Sequence, residues 1–189
     1  MGAADFNTGA TLRGTREELL AMLKVLKSYA TEKHEQYAKE RNCAYLNSVY
    51  LARYQSAGLG QRINDMTDED MLNLIDTCKN VIDVDASGPY GRFGFLSEVD
   101  LFREMAEAAP TASFEGGMGG FSTGGDQAAA YELKDGLLYC KYAEGEDWEE
   151  YDEDEDEDWD DDDEDWDAEP DWTEEVVYDP IAKKCVRNK

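Results

Sequence analysis

Residues 128–142 read AAAYELKDGLLYCKY. Two short runs, Ala128–Leu133 and Leu137–Tyr142, flank Lys134-Asp135-Gly136. An Asp-Gly pair between strand-forming runs is a strong hairpin signal, because the tight turn that joins two strands needs positive φ at its central residues. The stretch therefore predicts two antiparallel strands, and the rest of the chain has to be fitted to the sheet they start.

Towards the N-terminus, Gly116–Gly125 contains six glycines and reads as a flexible hairpin connection. A phosphate loop would carry Lys-Ser or Lys-Thr after its last glycine, but Asp126-Gln127 follow here, and the acid would repel phosphate. Ala112–Phe114 reads as a strand. Ser97 caps a helix with Leu101, Phe102 and Met105 on one face, which stops before Pro110. Val81–Val84 reads as a strand stopped by the turn Ser87-Gly88-Pro89-Tyr90-Gly91. Thr67–Asp70 caps a short helix bearing Met71, Leu74, Ile75 and Cys78. Thr15–Glu18 is a capping box, followed at helical spacing by Leu19, Leu20, Met22, Leu23, Leu26 and Tyr29 in a helix expected to extend towards Arg41. Tyr45, Leu46, Val49, Tyr50, Leu51 and Tyr54 fit a second helix, broken by Ala57–Gly60. Residues 1–10 are small and polar and read as a loose arm, counted to residue 14, with a candidate short strand at Ala10–Leu12.

Beyond the opening hairpin, Glu175–Tyr178, the turn Asp179-Pro180 and Cys185-Val186 suggest a final hairpin. The expected class is α+β: N-terminal helices, an antiparallel sheet, and a long acidic insertion before a C-terminal hairpin. The expected division is an N-terminal arm (1–14), an α+β domain (15–143), an acidic Trp-containing segment (144–175), and a C-terminal hairpin packing on the domain (176–189). The stretch from Val81 to Tyr142, with its Gly-Pro turn, its Phe-containing helix ending at a proline and its Asp-Gly hairpin, resembles half of the small ferredoxin-like domains of the YubB type found on bacterial plasmids and phages. The resemblance implies a ferredoxin-like fold and a mobile-element origin. It implies no catalytic residue.

Sites for chemistry are scarce. Cys43, Cys78, Cys140 and Cys185 form no close pair, so a zinc or redox motif is not expected. The single histidine, His34, lies between Lys33 and Glu35 and reads as a surface residue. Asp83-Val84-Asp85 matches the start of a calcium loop, but the twelfth position is Gly94 where a glutamate is required. Adjacent acids in a run share one wet environment, whereas acid–base catalysis needs carboxylates in different environments. The reading is therefore non-enzymatic, with no cofactor and no metal. The first residues show neither a signal-peptide pattern nor Ser/Thr at position 6, and no apolar run reaches membrane-spanning length. A cytoplasmic protein of a bacterial host cell is expected.

Charge is concentrated in one place. Net charge is -27, and residues 144–175 hold 23 Asp/Glu with no Lys or Arg. The same segment carries every tryptophan of the chain. If residues 152–167 are extended at ~3.3 Å per residue, a charge falls about every 3.8 Å, close to the ~3.4 Å phosphate spacing along one DNA strand. Indoles add flat faces that can stack on guanidinium groups or fill pockets. The expected partner-binding residues are Asp147, Trp148, Glu149, Glu150, Tyr151, Asp152, Glu153, Asp154, Glu155, Asp156, Glu157, Asp158, Trp159, Asp160, Asp161, Asp162, Asp163, Glu164, Asp165, Trp166, Asp167 and Trp172.

This pattern is like that of nucleic-acid-mimicking anti-restriction and anti-CRISPR inhibitors. The expected partner is a basic nucleic-acid-binding protein such as a defence nuclease, with no direct nucleic-acid binding by the acidic segment and no membrane contact. The alternatives are an acidic chaperone or adaptor for basic proteins, a solvated linker, or an intramolecular clasp onto residues 11–62, which hold nine Lys/Arg against five Asp/Glu.

Overall fold

The computed structural model describes residues 4–31, 48–53, 60–90, 96–122, 125–144 and 174–186. In chain order the elements are β1 (Ala4–Arg13), α1 (Arg16–Ala30), β2 (Ser48–Arg53) and β3 (Gln61–Arg62), followed by a 3-10 turn at Ile63–Asp65. Next come α2 (Asp68–Thr77), β4 (Val81–Tyr90), α3 (Leu96–Ala108), β5 (Ser113–Ser122) and β6 (Gly125–Lys134). The chain then forms β7 (Leu137–Glu144), β8 (Glu174–Asp179) and β9 (Lys184–Val186). Among the described residues the strands form one sheet in the order β3-β2-β4-β1-β5-β6-β7-β8-β9, and every neighbouring pair is antiparallel. The class is α+β.

Local signals account for most element ends. Thr15 and Thr67 cap α1 and α2 through reciprocal capping boxes with Glu18 and Asp70, so early amides that have no helical partner are satisfied. Asp135 and Gly136 both take positive φ, 52° and 76°, in the two-residue turn that joins β6 to β7. At the last turn the Asp179 carboxylate accepts from the amides of Ile181 and Ala182 at 2.9 and 2.8 Å, and Lys183 takes φ 50°.

Alternation along the strands builds one apolar face. Ala10 and Leu12 of β1 point to the same side as Ile82, Val84 and Ala86 of β4, Val49 and Leu51 of β2, Phe114 of β5, Tyr131 and Leu133 of β6, and Leu138 and Cys140 of β7. Helix α1 contributes Leu19, Met22, Leu23 and Leu26 to this layer, and α3 contributes Leu101, Phe102, Met105 and Ala106. The Phe102 ring stacks on Tyr131 with centroids 4.0 Å apart and lies tilted against Phe114 at 5.8 Å. Burying a ring of this size is worth about 1.5–3 kcal/mol, and each aromatic pair adds about 0.5–1.5. Helix α2 packs beside α1, with Met71 and Ile75 in the same core.

Four sequence expectations are corrected. The arm expected at 1–14 instead supplies β1, which pairs with β4 on one side and β5 on the other. Its small residues give no strong strand signal of their own. The helix expected across Tyr45–Tyr54 is strand where it is described: Val49 and Leu51 are buried while Tyr50 between them is not, which is a period of two. The strand expected to stop at Val84 runs through the Ser-Gly-Pro turn signal to Tyr90, because β1 pairs with it along its whole length. From Gly116 to Ser122 the glycine run is a paired strand, not a flexible connection: Phe114–Ser122 pair with β6, and Phe114–Gly120 also pair with β1. The expected continuation of α1 to Arg41 lies outside the described residues beyond Thr31.

Glycine is required at one of these positions. A Cβ on Gly116 would lie 2.4 Å from the Gly9 carbonyl oxygen and 2.8 Å from the Ala10 Cβ, so β1 and β5 would have to separate. On its other side Gly116 pairs with Tyr131, the residue on which Phe102 stacks. Gly116→Ala is expected to cost about 1–3 kcal/mol, as overpacking does. Urea unfolding should show a lower midpoint with an unchanged slope.

Candidate functional site

The acidic residues lie between two strands that are neighbours in the sheet. Strand β7 ends at Glu144 and β8 begins at Glu174, and the two pair in antiparallel register from Leu138↔Tyr178 to Tyr142↔Glu174. The chain therefore leaves the sheet and returns to it at the same end, on adjacent strands. Residues 145–173, which include every expected partner-binding position from Asp147 to Asp167 and Trp172, lie outside the described residues. The site can be built from the structure up to its two anchors.

The departing anchor is a core strand: Leu138 and Cys140 of β7 are fully buried. The returning anchor is held differently. Val176 and Tyr178 of β8 are only partly buried, and β9 is exposed along its length. A single carboxylate on α3 supplements this packing. The Tyr178 hydroxyl donates to Glu107 Oε1 at 2.5 Å, and the Lys183 ammonium lies 2.7 Å from Glu107 Oε2. Burial alone would raise the Glu107 carboxyl, but hydrogen bonds from Lys183 and Tyr178, with Arg103 nearby, outweigh it and hold the group below its ordinary 4.5. Burial and the neighbouring carboxylate push the Tyr178 phenol up to about 12.

The bases of residues 11–62 bear on the clasp alternative. Arg16 reaches Asp76 of α2 through two hydrogen bonds of 2.9 and 3.3 Å. Lys24 pairs with Asp68 at 2.6 Å, Arg13 with Glu115 at 2.7 Å, and Lys27 donates to the Met66 carbonyl. Exposed pairs of this kind contribute little stability. They do give four of the nine bases in residues 11–62 partners inside the domain. Lys33, Lys39 and Arg41 lie outside the described residues.

The sheet face opposite the helices is polar. Asp83 and Asp85 lie two apart on β4, and Asp83 accepts from the Thr11 hydroxyl at 2.8 Å. They sit on a paired strand, not in a turning loop of the calcium type. Glu115 and Glu132 are direct cross-strand neighbours beside an open hollow of about 290 Å³, which Tyr139 and Lys141 also line. On this face the central strands thus set the carboxylates of Glu115 and Glu132 beside Tyr139 and Lys141.

Among the described residues no group of three or more His, Cys, Asp and Glu could hold a metal ion, and no helix is long and apolar enough to cross a membrane. Cys78 and Cys140 are buried free thiols and Cys185 is an exposed one. His34 and Cys43 lie outside the described residues. Sequence reasoning missed Glu107, because its partners are 71 and 76 positions further along the chain and no local motif links them. No family model matches the chain, and no curated protein or solved structure matches it.

The contact between Glu107 and Tyr178 has a pH signature of defined sign. Glu107 is depressed in the fold, so its contribution is present above pH 4.5 and is lost as pH falls through its lowered value. Tyr178 is raised, so its contribution is complete below pH 10 and is lost as pH climbs towards about 12. The melting-temperature gap between wild type and Tyr178→Phe should be flat between these limits and shrink beyond both. A gap that is unchanged outside them would mean that the hydroxyl–carboxylate contact carries no stability.

Proposed function

We propose that this chain is a non-enzymatic inhibitor that mimics nucleic acid. Its target is a basic nucleic-acid-binding defence protein of a bacterial host, of the kind countered by anti-restriction or anti-CRISPR proteins, and it acts in the cytoplasm. One observation carries the reading: 23 acids and four tryptophans, without a single base, fall in residues 144–175, and the ends of that segment belong to adjacent paired strands. A segment tethered at both ends loses less freedom on binding than a free tail, so more of the contact energy appears as affinity. The acids steer a basic partner into encounter and the indoles supply anchors. Arg16 and Lys24 of α1, already paired with α2, favour an external partner over an intramolecular clasp.

The scaffold reading is the ferredoxin-like one. The order β2-β4-β1-β5, with α1 following β1 and α3 following β4, supports a βαββαβ core. In this reading β6–β9 extend that core on one side and carry the acidic segment outward.

Because β7 and β8 are neighbours, residues 145–173 can be replaced by a short Asn-Gly turn with the sheet left closed. The variant should keep the circular dichroism of the parent. It should lose inhibition of DNA cleavage by a nuclease with a basic channel, while inhibition by the full chain should weaken steeply as salt rises. Inhibition that survives the excision, or that is flat with salt, excludes mimicry. An acidic chaperone would instead keep basic proteins soluble without blocking cleavage.

The tryptophans are tested separately from the acids. Replacing Trp148, Trp159, Trp166 and Trp172 with Ser retains all 23 acids. If indoles anchor the contact, the best-buried one should cost roughly 2 kcal/mol or more, read as a faster off-rate with the on-rate largely kept. An unchanged off-rate, with unchanged melting of the isolated variant, would show that charge alone makes the contact.

A further inference from the structure

Glu107 stands in the last turn of α3, where the unsatisfied carbonyls of a helix end disfavour a negative side chain. Its place is explained by what it holds. One oxygen accepts from Tyr178 in β8, and the other faces Lys183 in the turn that leads to β9. The two halves of the final hairpin are thus joined to the helix layer through one carboxylate, with Arg103 one turn back at 4.0 Å. The hairpin's other attachment to the core is apolar, through Val176, Tyr178 and the buried Pro180, while Ile181 is 72% exposed and Val186 38%. The ladder from β8 to β7 covers the five residues from Glu174 to Tyr178. Opening β8 would leave residues 145–173 attached to the sheet at one end, through β7, instead of at two.

We propose that Glu107 is the positioning residue for the returning end of the acidic segment, fixing the place where residues 145–173 rejoin the sheet. Its functional value rests on reading that segment as the partner-binding element. The anchoring itself does not need a partner, so the two ideas fail separately.

The four tryptophans make the test local. Trp148 lies four residues beyond β7 and Trp172 two residues before β8. Two reporter chains each keep one of these, with the other three tryptophans changed to Phe, and each is made with and without Glu107→Gln. Tyr178→Phe serves as a milder second variant. The expected result is a faster fluorescence anisotropy decay at Trp172 and an unchanged decay at Trp148. Amides of β8 and β9 should exchange at least roughly tenfold faster, as for loss of a hydrogen bond to a charged group, while β1 to β7 keep their protection. An unchanged Trp172 decay overturns the proposal. So does an equal change at both reporters with protection lost across the whole sheet, since Glu107 would then be an ordinary stabilising residue.

Discussion

The pairing of β1 with both β4 and β5 is the constraint on which this architecture depends. Ten residues of β1 align with β4 and eight with β5, so a strand of mostly small residues becomes an interior strand of the sheet. Both layer-forming helices hang from this arrangement, because α1 leaves from β1 and α3 connects β4 to β5. The close approach of β5 to β1 at Gly116 fixes their spacing and so sets the floor on which Phe102 and Tyr131 stack. A bulkier residue at the contact would be felt through the sheet to the helix layer, because packed interiors transmit strain.

The sheet also explains how one chain carries so much uncompensated charge. Repulsion among neighbouring acids opposes compaction, and a strongly charged segment inside a core would unfold it. Here the acids enter and leave at one end of two adjacent strands, so the core is closed without them. Within the domain, charges are matched locally: α1 bases meet α2 acids, Arg13 meets Glu115, and Lys183 meets Glu107. The outermost strands are short, two residues in β3 and three in β9, and carry Arg62 and Lys184. Short, charged edges discourage the addition of further strands.

The two anchors of the acidic segment differ in kind. Strand β7 is held by apolar burial, which depends little on pH. Strand β8 relies in part on a carboxylate, a phenol and an ammonium, whose contacts depend on protonation state. The end at which the segment returns is therefore the one that chemistry can loosen, and it lies on the side of Trp172.

Sequence alone determined the features that are local in origin. The capping boxes at Thr15 and Thr67, the Asp135-Gly136 turn and the last hairpin all follow from side chains acting on backbone a few residues away. The placing of charge and tryptophan in residues 144–175 is likewise a property of the chain itself. Tertiary structure decided what depends on distant partners. Residues 4–13 and the run from Gly116 to Gly120 are strand because neighbouring strands satisfy their amides and carbonyls, which their own side chains do not signal. Residues 48–53 fit a helical spacing as well as an alternating one, and pairing with β4 chose the second. Glu107 meets Tyr178 and Lys183 only because the sheet brings the chain's last hairpin beneath α3. Local chemistry is written in neighbouring residues, while long-range pairing is settled by which backbone groups and apolar faces can be satisfied together.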